Sequence, residues 1–238
     1  MAQSTIEWTE MTWNPVTGCK KVSQGCKHCY AERMANRLRA MGSVRYVDGF
    51  APRLHEDLIE LPRRWKRGKT VFVNSMSDLF QEDVPLPFIQ RVFEVMVECP
   101  QHTFQILTKR AYRLRQLAGE LPWPRNVWMG VSVEDIRVAS RVTDLSAVPA
   151  AVRFLSCEPL LGPLDNLPLE RMHWVIVGGE SGPGARPMQR SWVQSIFKQC
   201  RANDVAFFFK QWGGPRKDLT GREFRGRTYD EMPNVAAA

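Results

Sequence analysis

Between residues 70 and 211 the chain repeats one pattern six times: a short run rich in Val, Ile and Phe, a loop, and usually an amphipathic helix. The runs cover residues 70–74, 103–108, 127–133, 152–157, 174–178 and 205–211, and each is nearly continuous in apolar character. Strands buried on both faces read this way, and such strands belong to parallel sheets covered by helices. The helical stretches carry their own apolar faces. Residues 88–98 place Ile89, Val92, Phe93, Met96 and Val97 on one side, and 191–202 place Trp192, Val193, Ile196, Phe197 and Cys200. In 136–145 the face is Ile136, Ala139, Val142 and Leu145, with Arg137 and Arg141 predicted to point away. In 30–41 it is Tyr30, Met34, Leu38 and Met41, stopped by Gly42. A weakly marked strand near 11–13 completes the count. The expected fold is α/β, a partial or complete TIM-like parallel barrel. It forms one domain over 1–238, with a basic insertion at 43–69 and a Gly- and Arg-rich tail at 213–238.

Three of the six cysteines crowd into eleven residues, as C-x6-C-x2-C at Cys19, Cys26 and Cys29. Cys99, Cys157 and Cys200 lie far apart. A disulfide framework belongs to smaller secreted chains, so the cluster points to metal or redox chemistry. Three thiolates suit a four-iron cluster that keeps one iron free, whereas a structural zinc site wants four closed ligands. His28 is a candidate fourth zinc ligand, although it is wedged between Cys26 and Cys29. The loop follows the first strand and opens a helix, which puts it at the barrel mouth, where active sites are built.

Polar residues past the strand ends converge on that same mouth. They are Asn74, Ser75, Ser77 and Asp78; Lys109 and Arg110; Ser132, Glu134 and Asp135; Ser156 and Glu158; Glu180 and Ser181; and Lys210 and Gln211. Charges at the ends of buried strands are costly unless they pair or bind a ligand; a pair such as Lys109 with Glu158 is the plainer expectation. Gly178 and Gly179, just before Glu180, allow close approach of adenine or substrate, or simply a tight turn.

Lys and Arg exceed Asp and Glu by 33 to 25, a net charge of +8 that favours phosphate-bearing partners or merely a solvated surface. The excess gathers where the strand–helix alternation breaks. Arg63, Arg64 and Arg67 surround Trp65 in the insertion, and Arg222 and Arg225 flank Phe224 in the tail. Basic side chains with interleaved aromatics suit a DNA or RNA backbone with stacked bases. No apolar stretch is long enough to span a bilayer, and residues 1–10 do not read as a signal peptide, so a soluble cytoplasmic protein without a membrane partner is expected.

The strings IEWTEMTWNPVTGC, GCKHCYAERM, NSMSDLF, FQILTKR, GVSVE, SCEPLLGP, VGGESGPGARPM and FFFKQWGG together resemble a phage-associated family. That family is described as radical-SAM-like and as distantly akin to spore photoproduct lyase. The usual superfamily spacing is C-x3-C-x2-C, and the first gap here is longer. The resemblance implies a 4Fe-4S cluster on Cys19, Cys26 and Cys29, S-adenosylmethionine as second cofactor, and an external reductant or electron donor. It further implies that Ser75, Ser77 and Asp78 bond the methionyl amine, Lys109 its carboxylate, and Ser132 or Glu134 the ribose. Glu158, Gly178, Gly179 and Glu180 complete the expected cofactor pocket. The function implied is a radical-SAM-type enzyme acting on nucleic acid. The competing reading is a phage-associated nucleic-acid- or protein-binding factor with a structural or redox-sensing metal site.

Overall fold

The computed structural model describes residues 6–234. The tail's last four residues and the first five of the chain lie outside that span. The elements run β1 (Met11–Trp13), β2 (Val16–Thr17), α1 (Tyr30–Ala40), β3 (Arg53–Leu54), α2 (Glu56–Ile59), β4 (Thr70–Val73), α3 (Leu86–Glu98) and β5 (Thr103–Thr108). They continue with α4 (Ala111–Leu117), β6 (Val127–Ser132), α5 (Ser140–Ser146), β7 (Val152–Cys157), β8 (Trp174–Gly178), α6 (Arg190–Ala202), β9 (Ala206–Gln211) and α7 (Lys217–Thr220).

Seven strands form one sheet in the order β1-β4-β5-β6-β7-β8-β9, every neighbour parallel. Because sequence order equals spatial order, the sheet curls in one direction with its helices outside. Within the described residues β9 does not pair with β1, so the result is a half-barrel, a partial TIM-like fold. β2 and β3 pair separately as a short antiparallel ribbon.

The period-two alternation of each strand separates two layers. Val71, Val73, Phe104, Ile106, Met129, Val131, Leu155, Val175, Val177, Phe207 and Phe209 face the helices and build the main core. Phe72, Trp128, Phe154, Trp174, Ile176 and Phe208 face the concave side, where Trp8 packs among them. The rings meet edge to face: Trp8 with Phe72 at 4.8 Å, and Trp174 with Trp8, Trp128 and Phe208 at 6.1, 6.2 and 6.0 Å. Register then grades this surface toward the carboxyl ends. Gly130 sits opposite Phe154, and a Cβ on Gly130 would lie 2.4 Å from that ring, so only glycine admits it. One row higher stand Ser132 and Ser156. The half-barrel therefore has an aromatic floor and a small, polar mouth.

Several faces differ from the sequence expectation. In α1 the buried residues are Ala31 and Ala35, while Tyr30, Met34 and Met41 are exposed. A larger side chain would hold α1 off the structure, so the small residues win the contact. In α3 Val95 joins the buried face and Val97 is exposed. The predicted helix at 136–145 breaks into a 3₁₀ turn (Ile136–Val138) and α5, leaving Ile136 exposed and turning Arg141 inward.

The basic insertion divides in two. Phe50 and Arg53 lie along the cysteine loop, through Cys19 N–H donating to Phe50 O at 3.1 Å and the β2–β3 pairing. Residues 61–69 precede β4 and lie at its amino end, opposite the cysteines. Trp65 is buried there, edge-on to His102 at 5.5 Å, so its ring is not available for stacking on a base. Arg63 is paired with Glu60 and Glu98, whereas Arg64 and Arg67 are exposed. The tail folds back along β9: Phe209 N–H donates to Tyr229 O at 2.9 Å, and Asp230 bridges Phe208 in antiparallel fashion. This covers a sheet edge that would otherwise offer free backbone groups. Phe224 and Tyr229 are anchors in that cover, packed on Phe197 at 5.6 and 5.2 Å. Arg222 pairs with Asp230, and the Arg225 guanidinium lies 5.4 Å from the Phe197 ring centre.

The aromatic floor makes Trp174→Ala costly. We expect a loss of about 3–5 kcal/mol in urea unfolding, since a fully buried indole leaves a cavity its ring neighbours cannot fill. A loss below about 1 kcal/mol would mean that the floor relaxes instead.

Candidate metal centre at the barrel mouth

The cysteine loop leaves the carboxyl end of β1 and enters α1 directly after Cys29. Its first half is tied to the strand ends around it. Gly18 bridges Ser77, Gln81 Nε2 donates to Gly18 O at 2.8 Å, and Cys19 N–H donates to Phe50 O at 3.1 Å. All six cysteines are free thiols; Cys99, Cys157 and Cys200 are buried in the core, and Cys19, Cys26 and Cys29 are half-buried. Burial, reinforced by the Asp78 carboxylate, pushes the Cys19 thiol up to about 12.

Three buried carboxylates brace this loop, Asp78 and Glu180 through a cation and Glu134 directly through the Ser23 hydroxyl. Asp78 accepts from Phe80 N–H (3.0 Å), Thr108 Oγ (2.6 Å), Lys109 N–H (3.0 Å) and Arg110 Nη1 (3.0 Å). Arg110 in turn donates to Lys20 O at 3.0 Å and reaches Cys19 Sγ at 3.5 Å. Glu134 accepts from Arg141 Nη1 at 2.9 Å and from Ser23 Oγ at 2.7 Å, and Lys109 Nζ stands 3.5 Å away. Ser23 Oγ lies 3.9 Å from Cys26 Sγ. Glu180 holds Arg186 through two guanidinium nitrogens at 2.5 and 2.8 Å, and Arg186 Nη2 donates to Gln24 O at 2.9 Å. The fourth brace is aromatic: Tyr30, directly after Cys29, donates its hydroxyl to Ser75 O.

The remaining predicted residues fall on the same mouth. Ser75 Oγ donates to Asn14 Oδ1 at 3.2 Å and Ser77 Oγ to Val16 O at 2.9 Å, so both hydroxyls help fasten the start of the loop. Ser132 is buried and its carbonyl accepts from Arg141 at 2.7 Å. Glu158 pairs with Lys210 at 2.6 Å, not with Lys109, whose partner is Glu134. Lys210 is on β9 and Lys109 at the end of β5, so topology decides which cation each acid meets. Gly178 lies against the Glu158 carboxyl, and a Cβ on Gly179 would fall 2.0 Å from Trp212 O. That glycine serves the close passage of the chain leaving β9, and its open side is filled by protein rather than by adenine or substrate. His28 faces Gly184 in the loop after Glu180.

Sequence reasoning missed Ser23, Gln81, Arg141 and Arg186 as parts of this assembly. Arg186 had a legible signal, since ESGPGAR places an acid and an arginine at the two ends of a Gly-Pro turn. Arg141 had none, because its helical spacing reads as outward-facing.

Two features fit a bound group here. The donors are three soft, unpaired thiols on one loop, the set that three-cysteine iron–sulfur ligation requires. At the ends of β4 and β9, Asn74 Nδ2 and Gln211 Oε1 are buried without a hydrogen-bond partner, a cost that a polar ligand would relieve. Among the described residues no three His, Cys, Asp or Glu side chains converge ready-made on one point, so shared ligation would require the three thiols to move together.

The Glu180–Arg186 brace gives a pH signature. Burial raises the Glu180 carboxyl, but hydrogen bonds from the Arg186 guanidinium and amide more than offset this and hold it below its usual 4.5. Its contribution is therefore full above about pH 4.5 and is lost as pH falls through the lowered folded value. Between about pH 6 and pH 3, wild-type stability should fall more than that of Glu180→Gln, as read by denaturant unfolding. Parallel curves would show that the pair contributes nothing.

The fold is similar to that of spore photoproduct lyase complexed with dinucleoside spore photoproduct. The TM-score is 0.50 at 12% identity, over 83% of this chain and 62% of that one. A mutant spore photoproduct lyase with bound AdoMet and dinucleoside spore photoproduct aligns at TM-score 0.47 and 10% identity, over 79% of this chain and 60% of that one. This chain thus spans about three-fifths of the length of either. No curated protein matches it significantly, and no described helix is long and apolar enough to cross a membrane. A family model described as "Protein of unknown function (DUF5131)" matches residues 3–233, nearly the whole length, and the chain belongs to that family.

Proposed function

We propose that this chain is an iron–sulfur enzyme of the radical SAM type that cleaves S-adenosylmethionine reductively and acts on a nucleic acid. The observation that carries the reading is the placement of Cys19, Cys26 and Cys29. They sit on one loop at the carboxyl-end mouth of a parallel half-barrel, braced there by three buried carboxylates. Cys19, Cys26 and Cys29 would hold a four-iron cluster, which would pass one electron from an external reductant to S-adenosylmethionine.

The residues of this chain divide the remaining work. Asp78, Glu134 and Glu180 are spent on cations and loop backbone, and so shape the cysteine loop. In this reading, contact with the methionyl and ribose groups falls to Ser75, Ser77, Lys109, Ser132, Glu158 and Gly178 at or past the strand ends, together with Asn74 and Gln211, whose buried Nδ2 and Oε1 lack partners. The aromatic floor below excludes water from one side of the mouth.

Support for a nucleic-acid substrate comes from the mouth's own charge, not from residues 61–69. Lys27, Arg33 and Arg37 are exposed on the cysteine loop and the first turns of α1. Cations there can hold a phosphate backbone beside the mouth. The neighbour of similar fold is complexed with a dinucleoside spore photoproduct.

The test is anaerobic reconstitution followed by iron, sulfide and 5′-deoxyadenosine analysis under reductant. We expect iron and sulfide in near-equal amounts, lost in Cys19→Ala, Cys26→Ala or Cys29→Ala and kept in Cys99→Ala. 5′-Deoxyadenosine should form only when S-adenosylmethionine is added. Zinc without sulfide, and no 5′-deoxyadenosine, would leave a binding factor with a structural metal. For the substrate, Arg33→Glu with Arg37→Glu should weaken single-stranded DNA at least tenfold at low salt and flatten its salt dependence. Trp65→Ala should lower stability and leave that affinity intact.

A further inference from the structure

Arg110 joins the buried Asp78 carboxylate to Cys19 of the cluster loop and brings a cation to the sulfur, whereas Glu134 reaches Cys26 only through the neutral Ser23 hydroxyl. Arg110 follows β5, its guanidinium is almost wholly buried, and four acceptors surround it. Nη1 is 3.0 Å from Asp78 Oδ2, Nε is 3.0 Å from Glu82 Oε2, Nη2 is 3.0 Å from Lys20 O, and Nη1 also reaches Cys19 Sγ at 3.5 Å. Asp78 cannot turn away, because Phe80 N–H, Lys109 N–H and Thr108 Oγ hold both its oxygens. The geometry is thus a fixed relay of carboxylate, guanidinium and sulfur. Cys26 has only the Ser23 hydroxyl near its sulfur, at 3.9 Å, so the three cysteines are not equivalent.

We infer that Arg110 is a positioning residue for the cluster: it anchors Cys19 as the fixed ligand and makes the cluster easier to reduce. This rests on the iron–sulfur reading above. A hydrogen bond to ligand sulfur favours the reduced, more negative cluster, and a donor held in place also orients the ligand itself. A planar fork can satisfy Asp78, Glu82, Lys20 O and Cys19 at once, whereas a lysine ammonium cannot reach all four. A role confined to holding β4 to β5 would use the Asp78 contact alone. The bonds to Lys20 O and Cys19 Sγ aim the group at the cysteine loop.

The experiment is a redox titration of the reconstituted protein followed by electron paramagnetic resonance. Arg110→Gln alone strands the Asp78 carboxylate in the interior and risks the fold. The main variant is therefore Asp78→Asn with Arg110→Gln, which removes both charges and keeps the shapes. We expect it to load iron and sulfide like the wild type and to reduce about tenfold less favourably, a midpoint about 59 mV more negative for one electron. Arg110→Lys should fall between the two, and carries the test in the same direction if the double variant loads poorly. Arg115→Gln, which removes a single positive charge from the exposed side of α4, should leave the midpoint unmoved. A double variant with full cluster content and the wild-type midpoint would overturn the inference. A wild type that takes up no iron and sulfide would instead sink the cluster reading beneath it.

Discussion

The mouth of this half-barrel depends on buried carboxylates that fasten the cysteine loop, two through an arginine and one through a serine hydroxyl. The loop from Asn14 to Cys29 has little secondary structure beyond the two-residue strand β2 and a short 3₁₀ turn, so its backbone must find partners elsewhere. Asp78, Glu134 and Glu180 lie past β4, β6 and β8, spaced around the sheet, and fasten the loop at Lys20, Ser23 and Gln24. Buried ion pairs of this kind add little net stability, because desolvation consumes most of the attraction. Their value is geometric. Each charge has one place where it is satisfied, and together they leave the loop one arrangement.

The gradient along the concave face has the same logic. At the amino ends Trp8, Phe72, Trp128, Phe154 and Trp174 fill the interior, and no space remains for a ligand. Toward the carboxyl ends Gly130, Ser132, Ser156 and Gly178 replace them, and volume gives way to polar surface. The peptide dipoles and loop amides gather at that end as well. Aromatic packing and polar surface are thus divided between the two ends of one sheet.

Much of the fold was legible because strand and helix periodicities differ so clearly. All six apolar runs became strands of the sheet, and the weak run at Met11–Trp13 became its first edge. The ring of polar strand ends was legible for the same reason, since a parallel sheet collects them. Pairing within the ring was not. Nothing in the order of residues says that Lys109 meets Glu134 or that Lys210 meets Glu158; register and curvature decide it. Composition misled where burial overrode it. Trp65, Phe224 and Tyr229 stand among arginines and read as a stacking surface, yet all three are core residues whose basic neighbours point outward. Helix α1 misled in the opposite sense, because alanines let it approach closely and left its methionines in solvent.

That exposed apolar stripe bears on how the mouth is finished. Tyr30 is half-exposed along its ring but pinned at its hydroxyl by Ser75 O, and burial of that end pushes the phenol up. It is therefore a fixed wall rather than a mobile lid. The loop after β8 forms the facing wall, with Arg33 donating to Ser181 O across the gap at 3.0 Å and His28 set against Gly184. Both walls grow from segments that carry or touch the cysteines, so anything entering the mouth meets side chains already ordered by the loop beneath. The Glu180–Arg186 pair that fastens the cysteine loop at Gln24 O thus sits directly beside Ser181, where Arg33 ties the loop after β8 to α1.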